Sequence, residues 1–90
     1  MSHLGMDDVL VEGVARQLSQ QAAHLKGIIG QIDAAVQRAT ATWTGKDAED
    51  FLALWSGQHR TALNQLQQAI ELLSSEAMRS VREQRAISSY

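Results

Sequence analysis

Thr42-Trp43-Thr44-Gly45-Lys46-Asp47, near the middle of a 90-residue chain, is where one helical repeat stops and another starts. Gly45 can take a positive φ without steric penalty, which suits a tight reversal. Thr44 and Asp47 have the Ser/Thr-x-x-acid spacing of a capping arrangement. Asp47, Glu49 and Asp50 then place carboxylates in the first turn of the next segment, where they complement exposed helix N–H groups. Trp43 sits at the apex. The spacing predicts a helical hairpin with an indole at its bend: helix one over about 7–41, the turn over 42–46, helix two over about 47–85 and a frayed tail over 86–90.

Upstream of the bend, residues 1–6 form a loose start and Asp7 or Asp8 serves as N-cap. Apolar residues then recur in steps of three and four, the mark of an amphipathic helix. Val11, Leu18, Leu25, Ile32 and Ala39 make one seven-residue row, and Ala15, Ala22, Ile29, Val36 and Trp43 make the adjacent one. Together with Val14 and Ile28 they form a stripe wide enough to touch two neighbours, as in a four-helix bundle. Gly13, Gly27 and Gly30 interrupt this helix at a cost of about 1 kcal/mol each relative to Ala. Gly27 and Gly30 either let another helix approach, permit a bend, or are simply tolerated.

Downstream, the stripe is Ala48, Phe51, Leu52, Trp55, Ala62, Leu63, Leu66, Ala69, Ile70, Leu73 and Ala77, with His59 on it. Gln58, Arg60, Thr61, Asn64, Gln65, Gln67, Gln68 and Glu71 are assigned to the outer, polar face. Beyond Met78 the stripe weakens. Glu76, Arg79, Arg82, Glu83 and Arg85 alternate in sign at helical spacing and read as a solvated helix end laced with ion pairs. The expected arrangement is all-α, a hairpin that pairs into an antiparallel four-helix bundle dimer. In it Phe51, Trp55, Leu66 and Ile70 face Leu18, Leu25, Ile29 and Ile32, with Val36, Leu52 and Leu73 completing the packing. Periodicity does not fix which of these meet the hairpin partner and which a second chain.

Composition narrows the function. Ninety residues make one small domain, and a two-helix hairpin has a single internal interface, so partner association is a physical expectation. The absence of Pro fits long helices, and the absence of Cys excludes disulfides, thiol nucleophiles and cysteine metal sites. A net charge of −2 gives no pull toward nucleic acid. No apolar run reaches the roughly twenty residues of a membrane span, so no stable membrane insertion is expected. There is no Sec-type signal pattern, so export would need another route.

Chemistry is sparse. His3, His24 and His59 lack the i, i+4 spacing of a helical zinc site, and no metal or cofactor is expected. His24 reads as a surface residue and His59 as a packed, hydrogen-bonded one. No serine sits in a G-x-S-x-G elbow, and Asp47, Glu49 and Asp50 are explained by the helix start, so no catalytic residues are assigned. Arg79, Arg82 and Arg85 are interleaved with Glu76 and Glu83 and lack a neighbouring aromatic to stack a base, which favours a solvated face over phosphate binding.

Trp43-x-Gly45 between two long helices, with Phe51 and Trp55 early in the second, resembles the WXG100 (ESAT-6-like) proteins. The resemblance implies a small, non-enzymatic substrate or partner of a type VII (ESX) secretion system. It further implies a homodimer, or a heterodimer with another WXG100-like protein, and recognition by the secretion ATPase, with Trp43 and Gly45 as part of the export signal. Members commonly carry a Tyr-x-x-x-Asp/Glu tail. Here the only tyrosine is Tyr90, the last residue of the sequence, so the tail motif is expected from a partner or from a different tail. Two other roles remain open, a cytosolic adaptor or chaperone for a larger secreted toxin and a membrane-active effector.

Overall fold

The computed structural model describes residues 6–88. Helix α1 is Asp8–Thr42 and helix α2 is Lys46–Ala53; a π-helical turn, Leu54–His59, joins α2 without a break to helix α3, Arg60–Ser88. Among the described residues there is no strand. The two arms, α1 and residues 46–88, pack along each other as an antiparallel hairpin 67 × 16 × 15 Å in extent.

Asp7 starts α1. Its side-chain Oδ1 accepts the Leu10 N–H at 3.1 Å, and its carbonyl accepts the Val11 N–H at 3.0 Å. At the bend, Trp43 closes α1 in an extended conformation. Gly45 follows at φ 109° and ψ −179°, a region essentially reserved for glycine. The side-chain capping expected from Thr44 does not form. Helix α2 begins directly after Gly45, which is itself the N-cap and carries no side chain, so Thr44 lies one residue too early to reach the free N–H groups.

The inner face of α1 is the row Ala15, Ala22, Ile29 and Val36, all buried. Ile29 and Val36 close on Trp55, with Leu25, Leu52 and Leu63 packed around them. This cluster lies in the half of the hairpin nearer the bend. Toward the termini the interior thins to Ala15, Ala22 and Val81, and the Ser74 hydroxyl donates to the Ala15 carbonyl at 2.7 Å.

The second arm departs from the expected facing. Gln67, assigned to the outer face, is buried, while Leu66 beside it is exposed. Arg60, also assigned outside, is half-buried, and His59, expected to be packed, is exposed. The π-turn is the cause. Inward residues step by seven from Ala48 to Trp55, by eight to Leu63, then by seven to Ile70, Ala77 and Gln84. A second inward row steps by eight from Leu52 to Arg60, then by seven to Gln67, Ser74 and Val81. Both rows take their eight-residue step across Leu54–His59, where the wider turn absorbs one extra residue. An unbroken α-helical count misses that shift.

Helix α3 continues to Ser88. Arg85 ties its last turns to the start of α1, with Nε 2.7 Å from Asp8 Oδ2 and Nη2 2.9 Å from Glu12 Oε1. His3 and Tyr90 lie outside the described residues.

Candidate functional site: the Trp-x-Gly end and the open flank

Two surfaces meet at the bend. Trp43 and Phe51 touch at a centroid separation of 5.4 Å with their rings tilted by 46°, and both remain about two-fifths exposed. Trp43 stands there because the chain leaves α1 in extended conformation, and Phe51 because it lies one turn into α2. An open pocket of about 240 Å³ runs beside them, lined by Thr40, Trp43, Thr44, Gly45, Ala48, Glu49 and Leu52. The two rings form an aromatic patch at the helix bend that is left partly in water.

The long sides of the hairpin differ from each other. On α1, Glu12 and Asp33 flank the buried row on one side, while Leu18, Leu25 and Ile32 flank it on the other. The first flank is polar and latched. Arg85 bridges to Asp8 and Glu12, and Arg60 Nη1 sits 2.8 Å from Asp33 Oδ1. The Trp55 indole N–H donates to the same Asp33 oxygen at 2.9 Å. That indole N–H, and after it the Arg60 guanidinium, holds the Asp33 carboxyl below its ordinary pKa. Arg85 does the same for Asp8 and, with Arg16, for Glu12.

The opposite flank carries no such latch among the described residues. It presents Val14, Ile28 and Ile32 from α1 and, from the second arm, the row Phe51, His59, Leu66 and Leu73, every one exposed. Steps of eight, seven and seven connect that row, so the π-turn aligns Phe51 with the two leucines. Ile29, Val36 and Trp55 therefore belong to the hairpin interior, with Leu18, Leu25, Leu52 and Ile70 half-buried beside them, whereas Ile32, Phe51, Leu66 and Leu73 look outward.

A Cβ built on Gly13, Gly27 or Gly30 meets nothing within 4 Å, so no close helix approach inside the hairpin requires these glycines. Among the described residues no cluster of His, Asp or Glu could hold a metal ion, and no helix is long and apolar enough to cross a membrane. Asp33 escaped the sequence reading, since a single acid on a helix flank gives no signal by itself.

A helical hairpin bent at Trp-x-Gly, with one flank latched and the other apolar and exposed, defines a small all-α protein. A family model described as "Proteins of 100 residues with WXG" matches residues 4–85, and the chain belongs to this WXG100 family of ESAT-6-like proteins associated with type VII secretion. Searches of curated proteins and of solved structures return no match.

Proposed function

We propose that this protein works as one half of an antiparallel four-helix bundle, a dimeric substrate or partner of a type VII secretion system exported without a Sec signal. The observation that carries this reading is the two-sidedness of the hairpin. Ion pairs close one flank, while the other leaves Ile28, Ile32, Leu66 and Leu73 in water along a single side. A lone hairpin of this size has little interior, and covering that flank with a second hairpin supplies the missing burial. The partner is a second copy or another WXG100-like chain. Trp43, Gly45 and Phe51 at the bend are then the surface offered to the secretion ATPase, alone or with a tail from the partner.

Light scattering behind size exclusion tests the pairing. The expected result is a sharp, strongly helical dimer, or a dimer only after mixing with a chain from a neighbouring gene; a stable, cooperative monomer under both conditions would refute it. Export is tested by Trp43→Ala in a strain with a working type VII system. Loss of protein from the medium with an unchanged helical dimer supports the recognition role. Undiminished export would reduce Trp43 to a packing residue, and retention of the parent protein inside the cells would favour an adaptor or chaperone instead.

A further inference from the structure

The second arm carries two pairs of large aliphatic residues that compete for its inner side. Leu63 and Ile70 occupy it, while Leu66 and Leu73 stay exposed. An uninterrupted α-helix leaving Trp55 would turn residues 62–73 by one residue's rotation, about 100°. Leu66 and Leu73 would then lie where Gln67 and Ser74 now face α1, and Ala62 and Ala69 where Leu63 and Ile70 now do. Over this stretch either arrangement buries two large aliphatics, so hydrophobic burial alone distinguishes them weakly. Past residue 75 the balance is decisive. The observed register turns Ala77 inward, half-buried, and buries Val81, whereas the other would put Glu76 in place of Ala77 and Ser80 in place of Val81. The extra residue must therefore be taken up somewhere between α2 and Ala77, and burial does not say where.

Asp33 does say where. Trp55 and Arg60 are five residues apart, about 140° around an α-helix, and would not converge on one point. Across the π-turn the Arg60 N–H donates to the Trp55 carbonyl, the i→i+5 bond of that geometry, and the two side chains reach the same carboxylate oxygen at 2.9 and 2.8 Å. We propose that Asp33 pins the extra residue at Leu54–His59 and thereby keeps Leu66 and Leu73 on the open flank. Without that carboxylate the π-turn migrates toward Ala77, and the leucine pair rotates toward α1. Asp33 is thus a positioning residue for the composition of the contact face. The inference rests on the hairpin alone and stands whether or not the protein pairs as proposed above.

The chain has no native cysteine, so cross-linking of engineered pairs reads the register directly. Ala22 and Gln67 lie one seven-residue step along each arm from the Ala15–Ser74 contact, and both are buried. In the full chain A22C with Q67C reports the present register, and A22C with L66C reports the migrated one. The parent is expected to cross-link only the 22–67 pair. With Asp33→Ala the 22–67 product should fall several-fold and the 22–66 product should appear. Deleting Gly57, which is exposed and where a Cβ would meet nothing within 4 Å, removes the extra residue. Asp33→Ala combined with that deletion should return cross-linking to the 22–67 pair. Persistence of 22–67 alone in Asp33→Ala overturns the proposal, as does loss of both products, which would reduce Asp33 to a stabilising contact. Failure of the Gly57 deletion to restore 22–67 overturns it as well.

Discussion

The two flanks of the hairpin solve opposite problems with the same helices. On one, Asp8, Glu12 and Asp33 meet Arg85 and Arg60 across the arms, which fixes how the arms lie but leaves a polar surface content in water. On the other, Val14, Ile28, Ile32, Leu66 and Leu73 stay between 37% and 59% exposed in the single chain. The contrast places the cross-arm ion pairs on one side and the exposed aliphatic side chains on the other. The proposed pairing would cover the second side and leave the first in water.

The largest disturbance of that division comes from its shared support. Trp55→Ala removes the big side chain of the inner cluster and a hydrogen-bond donor to Asp33, and should cost about 3–5 kcal/mol. For so small a domain that is enough to abolish a cooperative thermal transition, readable by circular dichroism. Leu66→Asp attacks the open flank alone. A carboxylate at an apolar contact should weaken pairing by about 2–4 kcal/mol, roughly 30- to 1,000-fold in dissociation constant, with helix content preserved. Analytical ultracentrifugation checks it, and an unchanged dimer would place the contact elsewhere. Gly45→Ala lies outside both flanks. It forces a side chain into a backbone region reserved for glycine and should destabilise the hairpin by about 1–3 kcal/mol in urea unfolding.

Smaller effects probe the latched flank. Asp33, Asp8 and Glu12 have pKa values lowered by their partners, so folding favours their ionised forms. Their contribution is complete above the ordinary carboxylate range and is lost as the pH falls through the lowered values, below about pH 4. The melting temperature should be flat from neutral pH to about 5 and decline below that. A decline that starts near neutrality would show that these carboxylates do not set the acid limb. Arg85→Ala should change least, a slight loss that added salt erases, because the pair is exposed and screened.

Much of this was legible in the sequence. The Trp43-Thr44-Gly45 stop between two proline-free apolar repeats gave the hairpin, and Gly45 does take the positive φ that its position implied. The row Ala15-Ala22-Ile29-Val36 was readable because α1 keeps one period from Asp8 to Thr42. The second arm was not readable in the same way. It holds two offset apolar rows, and counting by seven from Trp55 reaches Ala62 when the residue turned inward is Leu63. Only backbone hydrogen bonding reveals the i→i+5 turn that settles the choice. The Asp33 contact was hidden for a related reason, since its two donors are five residues apart and fall on one side only once that turn exists.

The uneven interior has a mechanical consequence. Bulk is concentrated on Ile29, Val36 and Trp55 near the bend, while the distal half is lined by Ala15, Ala22 and Val81 and fastened at its outer end by exposed ion pairs. A force that draws the two ends of the chain apart meets the Arg85 pairs first, then thin alanine layers, and reaches the tryptophan cluster last. Under such a load the hairpin should open from its far end, with resistance rising toward the turn.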